Sequence, residues 1–137
     1  NEKLLKKAKK NDIETSIDLH WDPKWEEDQE AADKRRELFF DALEFADFLM
    51  GNEEEIKKLT KNNDLSKAIE NLQRFEDLIL VIHRGEKGSK IVKNSKEIDI
   101  TTENVKDPKN PTGTGDVYDA AFLHYWQKDN SLREAAE

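Results

Sequence analysis

Residues 77–84, which read DLILVIHR, restrict the fold of this chain more than any other segment. The middle of the run, from Leu78 to Ile82, is apolar without interruption. A strand with apolar side chains on both faces is buried on both faces, and such strands are typical of parallel sheets that helices cover on either side. The run therefore predicts a central strand of an α/β domain.

Helix-like and strand-like segments alternate along the rest of the chain. An N-terminal helix is indicated by the apolar stripe of Leu4, Leu5 and Ala8. Further helices are predicted over residues 33–46, 52–60, 64–75 and 115–127, and further strands over residues 14–20, 47–51 and 96–102, with residues 85–92 forming a glycine turn into an antiparallel strand. This order predicts a three-layer α/β fold, in which a mainly parallel sheet with right-handed crossovers is flanked by helices. Residues 104–111 are predicted as a turn-rich loop.

The composition narrows the classes of partner. The net charge of −8 disfavours binding to a nucleic-acid backbone, which requires a basic surface. The chain has no cysteine, so neither a disulfide nor a thiolate zinc site can form. No apolar run approaches the roughly 20 residues that span a bilayer. We therefore expect a cytoplasmic domain with no nucleic-acid partner and no membrane partner.

The segment GTGD at residues 113–116 carries the most informative polar pattern of the chain. Gly113 and Gly115 allow the backbone to approach a ligand closely, and the predicted helix that follows adds the partial positive charge of its N-terminus. Asp116 lies within this anion-binding segment, where a carboxylate can accept a proton from a neighbouring hydroxyl group. The spacing alone leaves a second interpretation open, in which Asp116 is an ordinary first-turn acid and the glycines are loop residues.

Polar residues follow three of the predicted strands, and sites in parallel sheets usually lie beyond the carboxyl ends of the strands. These residues are Asp18, His20 and Asp22, then Asn52 to Glu55, then His83 to Gly88. The first three could share one strand face, but two carboxylates and one imidazole are an incomplete set of metal ligands. A P-loop is excluded, because GEKGSK lacks the spacing and the lysine position that such a loop requires.

Residues 111–126, which read PTGTGDVYDAAFLHYW, resemble the C-terminal signature of the ribokinase-like (PfkB) carbohydrate kinases. Four further stretches resemble the family in the same order: TSIDLHWDPKW, DFLMGNEEEIKKLT, LVIHRGEKGSKIV and SLREAAE. The second of them contains the N-x-x-E motif of the family as Asn52 and Glu55, and the third contains its G-x-x-G turn as Gly85 and Gly88. The resemblance covers nearly the whole chain, and five ordered matches are more specific than any one of them.

The resemblance implies ATP-dependent phosphorylation of a hydroxyl group on a sugar or a sugar-like molecule. Asp116 is implied as the general base that acts on this hydroxyl group. The backbone N–H groups of Gly113, Thr114, Gly115 and Asp116 are implied as the anion hole that holds the transferring phosphoryl group.

The cofactors that the resemblance implies are ATP and Mg²⁺. Asn52 and Glu55 would order the metal ion and the phosphates, partly through water, because magnesium keeps several of its water ligands. Gly85 and Gly88 would lie beside the nucleotide, and so would His83. His83 departs from the family, which often has threonine just before this turn, so the nucleotide contacts at this position stay open.

Members of that family are considerably longer than this chain. We therefore expect residues 1–137 to be the C-terminal part of a single kinase domain, without the N-terminal half that carries the lid and most of the sugar contacts. On that expectation the chain alone is inactive, and a homodimer would form through the absent lid region. Alternatives stay open: a vitamin kinase of the pyridoxal or hydroxymethylpyrimidine type, a nucleoside kinase of the same fold, or a non-catalytic relative that binds a nucleotide or a sugar.

Overall fold

The computed structural model describes residues 2–103, 112–129 and 131–137, and the predicted loop 104–111 lies outside them. The described helices are α1 (Glu2–Lys9), α2 (Gln29–Leu43), α3 (Glu53–Thr60), α4 (Leu65–Leu72), α5 (Thr114–Asp129) and α6 (Leu132–Ala136). The described strands are β1 (Ser16–Asp18), β2 (Phe48–Asn52), β3 (Ile79–His83), β4 (Ser89–Lys93) and β5 (Lys96–Ile100). Short 3₁₀ helices cover Pro23–Glu27 and Gly85–Lys87. None of the described helices is both long enough and apolar enough to cross a membrane.

The five described strands form one mixed sheet in the order β1-β2-β3-β4-β5. β1, β2 and β3 are parallel, and their register sets Asn52 opposite His83. β4 and β5 are antiparallel to their neighbours, because the chain returns through short turns that only antiparallel strands allow. Asn94 and Ser95 connect β4 to β5 with φ of 49° and 61°, as a tight hairpin turn requires. The antiparallel pairing of β3 with β4 confirms the predicted glycine turn into an antiparallel strand.

Both faces of β3 are buried, as its uninterrupted apolar run predicts. Leu80 and Ile82 lie in one hydrophobic core with residues of α2, α3 and α4. Ile79 and Val81 lie in a second core, on the other side of the sheet, with residues of α5 and α6. All four side chains are at most 3% exposed. The predicted three-layer arrangement of helices, sheet and helices is therefore confirmed.

The first strand is shorter than the predicted 14–20, since it ends at Asp18. The chain then leaves strand geometry, because His20 has a left-handed backbone with φ of 42°. Asp22 caps the following 3₁₀ helix by accepting a hydrogen bond from the backbone N–H of Lys24 at 2.9 Å. The proposed sharing of one strand face by Asp18, His20 and Asp22 is therefore wrong. Among the described residues, no group of three histidines or acids could hold a metal ion.

Candidate active site

The GTGD segment forms the start of α5. Gly113 has φ of +80°, a left-handed conformation that favours glycine, and its carbonyl accepts the helical hydrogen bond from Val117 N–H at 3.1 Å. Gly115 and Asp116 lie in the first turn, where backbone N–H groups have no acceptor within the helix. The carboxylate of Asp116 is exposed. The segment thus combines a glycine turn, N–H groups of a helix start and an accessible carboxylate.

His83, the last residue of β3, joins the sheet to the start of α5. Its Nε2 lies 2.7 Å from Oδ1 of Asp119, which belongs to the second turn of that helix. A Cβ atom on Gly115 would lie 3.4 Å from Nδ1 of His83, so the imidazole lies directly beside the backbone of this glycine. The ring of Tyr118 meets the imidazole edge-on, with ring centroids 5.2 Å apart. His83 therefore connects the strand end to the anion-binding segment.

The surroundings of His83 are acidic. Burial lowers the pKa of the imidazole, but the hydrogen bond to Asp119 and the charges of Asp119, Asp18 and Glu55 outweigh burial and raise the pKa above its ordinary value of 6.5. Asp18 is the last residue of β1, and Glu55 lies in the first turn of α3. The ends of β1 and β3 and the starts of α3 and α5 therefore lie within electrostatic range of one another at one edge of the sheet.

Asn52 and Glu55 form a reciprocal cap at the start of α3. Asn52 Oδ1 accepts a hydrogen bond from Glu55 N–H at 3.0 Å, and Glu55 Oε2 accepts one from Asn52 N–H at 2.8 Å. Glu55 Oε1 accepts a third hydrogen bond, from the backbone N–H of Trp21 at 3.0 Å. The carboxylate of Glu55 therefore ties the segment after β1 to the start of α3.

The predicted glycine turn follows β3 directly. Gly88 has φ of +84°, and a Cβ atom there would lie 1.9 Å from the carbonyl oxygen of Ile100 in β5. Gly85 has φ of +57° and open space around it. The side chain of Arg84 is engaged by Asp99, with Nη1 and Oδ1 2.7 Å apart. Close approach of the neighbouring strand therefore requires glycine at position 88, whereas only backbone conformation favours it at position 85.

A cavity of about 360 Å³ lies between the glycine turn and the start of α5. His83, Gly85 and Gly88 line it from the sheet, and Thr114 and Gly115 line it from the helix. A larger groove of about 910 Å³ lies along α1, α2 and β1, away from the GTGD segment. Backbone N–H groups and glycines at the smaller cavity suit an anionic, slender group such as a phosphate chain. The predicted site residues that do not line it are Asn52, Glu55, Gly113 and Asp116.

Two residues of the site are missed by sequence reasoning. Asp119 is 8% exposed and lies on the same face of α5 as Phe122 and Trp126, at helical spacings i, i+3 and i+7. An acid on a buried helix face is the signal that could have identified it. Gly51 lies in the buried strand β2, and a Cβ atom there would lie 3.1 Å from Glu55 Oε2. The signal in that case is a glycine inside an apolar strand, which often marks a close approach.

The sequence of the chain is similar to those of known kinases. The whole chain, residues 1–137, matches the family described as pfkB family carbohydrate kinase. A nucleoside kinase of Methanocaldococcus jannaschii is 30% identical over 135 residues, which are 98% of this chain and 40% of that protein.

Solved structures share the fold of the chain. An adenosine kinase from Sinorhizobium meliloti superposes with a TM-score of 0.83 at 23% identity, over 99% of this chain and 40% of that one. An E. coli protein provisionally assigned as a ribokinase II, in complex with ATP and Mg²⁺, superposes with a TM-score of 0.81 at 21% identity, over 98% of this chain and 42% of that one. The chain therefore spans about two fifths of the length of these relatives.

Proposed function

The chain belongs to the pfkB family of carbohydrate kinases, and from that premise we propose that the full-length protein transfers the γ-phosphoryl group of ATP to a hydroxyl group of a sugar or of a sugar-containing molecule. The observation that carries the proposal is the start of α5. There Gly113 has φ of +80°, Gly115 lies beside His83, and Asp116 presents an exposed carboxylate. Phosphoryl transfer depends on positioning and on charge stabilisation, which N–H groups at a helix start supply.

In this proposal the GTGD segment performs the proton transfer and the charge stabilisation. Asp116 accepts the proton of the acceptor hydroxyl group, and the oxygen of that hydroxyl group forms a bond to the γ-phosphorus of ATP. The bond from the γ-phosphorus to the oxygen that bridges it to the β-phosphorus breaks, and ADP leaves. The backbone N–H groups of residues 113–116 stabilise the negative charge on the transferring group. The glycines support this role because they leave the backbone uncovered by side chains.

Asn52 and Glu55 suit a magnesium ion that is held through water. Both carboxylate oxygens of Glu55 already accept backbone hydrogen bonds, from Trp21 and from Asn52. A carboxylate oxygen can accept a second hydrogen bond, and magnesium usually retains several waters, which donate. In the proposal these two residues therefore orient the water shell of the ion, which neutralises phosphate charge when it is bound. The structure of the E. coli relative with ATP and Mg²⁺ supports this choice of cofactors.

The nucleotide occupies the cavity between the glycine turn and α5 in this proposal. Gly85 and Gly88 leave room beside the strand ends, and His83 faces the same cavity. The cavity has a volume of about 360 Å³ and thus accommodates only part of a nucleotide within the described residues. We assign the phosphate chain to it, because the start of α5 forms one of its walls.

We propose a nucleoside as the acceptor, on the basis of the relative that is 30% identical to this chain. The relative from Methanocaldococcus jannaschii is a nucleoside kinase, and the similar structure from Sinorhizobium meliloti is an adenosine kinase. A nucleoside carries ribose hydroxyl groups, so this acceptor requires the same chemistry at Asp116.

The cytoplasmic location and the homodimer predicted from the sequence are further proposals, which fractionation and mass measurement in solution would test.

The test is a transfer assay on the full-length protein with ATP and Mg²⁺. Nucleosides, free sugars and pyridoxal-type vitamins are offered separately, and the phosphorylated product is identified by mass. We expect transfer to a nucleoside, with slower transfer to free sugars. Transfer to the vitamins alone would replace the proposed acceptor class, and nucleotide binding without transfer to any acceptor would favour the non-catalytic alternative.

A further inference from the structure

Asp119 is a buried carboxylate for which the proposed chemistry has no use. It is 8% exposed and lies in α5 between the GTGD segment and the second hydrophobic core. Burial of a carboxylate is unfavourable unless a partner compensates its charge, so a buried aspartate at this position requires a partner. The partner is the imidazole of His83, whose Nε2 lies 2.7 Å from Oδ1 of Asp119 although the two residues are 36 positions apart.

The contact with Asp119 fixes the orientation of the His83 ring. An ionised carboxylate can only accept hydrogen bonds, so Nε2 of His83 carries the hydrogen and donates it. The opposite side of the ring is thereby directed at Gly115, where a Cβ atom would lie 3.4 Å from Nδ1 and 3.6 Å from Cε1. The backbone of Gly115 therefore lies beside Nδ1 and Cε1 of a ring whose position is set by Asp119.

Tyr118 holds the same ring from a second side. Its own ring meets the imidazole at an interplanar angle of 76°. The hydroxyl of Tyr118 lies 3.2 Å from the carbonyl oxygen of Ala136, to which it donates, and 2.7 Å from Oγ of Ser89, from which it then accepts. With Asp119 and Tyr118 on two sides, the imidazole forms a rigid support at the wall of the cavity.

We propose that Asp119 is a positioning residue, which acts through His83 to hold the backbone of Gly115 in the orientation that receives the γ-phosphoryl group. This inference rests on the proposed function, since it takes the start of α5 as the phosphoryl-binding segment. Asp119 itself touches neither nucleotide nor acceptor in this scheme. Its contribution is geometric: misplacement of a preorganised N–H group by a fraction of an ångström weakens its contact with charge.

The test compares the affinities for ATP and ADP in the full-length protein, by titration calorimetry without acceptor. ADP lacks the γ-phosphoryl group and is therefore the matched ligand. We expect Asp119→Ala to weaken ATP binding by about tenfold and to leave ADP binding within about twofold. Asp119→Asn keeps an oxygen that accepts from Nε2, so we expect it to retain most of the ATP affinity. His124→Ala, an exposed position on the same helix, serves as the control and should change neither affinity.

A double-variant cycle separates positioning through His83 from an independent effect of the charge. His83→Gln places an amide N–H group near the position of the imidazole Nε2 and can still donate to Asp119, but it lacks the ring atoms Nδ1 and Cε1 that lie beside Gly115. It should therefore reproduce the selective loss of ATP affinity and should fold even where Asp119→Ala does not. Adding Asp119→Ala to His83→Gln should cause little further loss of ATP affinity, and additive losses would overturn the proposal. Equal weakening of ATP and ADP would also overturn it, since a general loss of structure acts on both ligands.

The proposed function can fail separately. Wild-type protein that binds ATP but phosphorylates no acceptor would contradict the kinase assignment, while the comparison of ATP with ADP would still decide the role of Asp119. Wild-type protein that binds neither nucleotide would overturn both.

Discussion

Nε2 of His83 lies 2.7 Å from Oδ1 of Asp119, and this contact joins the carboxyl end of β3 to the second turn of α5. The imidazole also lies beside Gly115 in the first turn of the same helix. The start of α5 is therefore fixed to the edge of the sheet at which β1 and β2 end as well. That position is what makes the GTGD segment a candidate for phosphoryl transfer rather than an ordinary helix start.

Asp116→Asn tests the general base. The amide keeps the size of the side chain but cannot accept the proton of the acceptor hydroxyl group, so we expect kcat in the full-length protein to fall by about a thousandfold. ATP affinity should change little, because the N–H groups of the helix start remain. Asp129→Asn, an exposed acid at the other end of α5, is the matched control and should retain wild-type turnover. A decrease below about tenfold for Asp116→Asn would remove this residue from the role of base.

Glu55→Gln tests the two functions assigned to the cap of α3. One carboxylate oxygen becomes an NH₂ group that faces a backbone N–H, so one of the hydrogen bonds to Trp21 and Asn52 is lost, and the free energy of unfolding should fall by about 1–3 kcal/mol. The Mg²⁺ concentration that gives half-maximal turnover should rise. Glu54→Gln, which removes the neighbouring exposed acid, should leave both quantities nearly unchanged. An unchanged Mg²⁺ requirement in Glu55→Gln would restrict Glu55 to its structural role.

Gly88→Ala tests the close approach of β5 to the glycine turn. The added methyl group would lie 1.9 Å from the carbonyl oxygen of Ile100, in a backbone conformation with φ of +84°, so the free energy of unfolding should fall by about 3 kcal/mol or more. Gly85→Ala has open space and should lose only about 1–2 kcal/mol through its left-handed conformation. Denaturant unfolding measures both values, and equal losses would show that contact with Ile100 does not decide the difference.

The dependence of stability on pH tests the environment of His83. The pKa of this imidazole is raised in the folded protein above its ordinary value of 6.5, so the folded state binds the proton more tightly than the unfolded state. The resulting stabilisation is complete below pH 6.5 and is lost as the pH rises through the raised folded pKa. His83→Gln should lack this part of the pH dependence, which begins near the ordinary pKa of 6.5 and extends above it, and His124→Gln should retain it. Identical profiles for wild type and His83→Gln would contradict the assignment.

Features that depend on near neighbours in the chain could be predicted from the sequence. The apolar run before His83 predicts burial on both faces, and the two cores on either side of β3 confirm it. Asn52 followed by three acids indicates a capped helix start, and the Asn52 side chain caps α3 by accepting a hydrogen bond from Glu55 N–H. The prediction for residues 14–20 was too long, since β-propensity does not register the left-handed backbone that His20 adopts.

The sequence by itself therefore determined the order of helices and strands, the cap of α3, the glycine turn and the segment that opens α5. Those features follow from hydrogen bonds and burial patterns within a few residues. Only the tertiary structure decided that the carboxylate of Asp119 pairs with the imidazole of His83 and that Gly88 lies against the carbonyl oxygen of Ile100. Each of these contacts joins different elements across space, and its existence depends on sheet register and on the docking of α5, which no local pattern specifies.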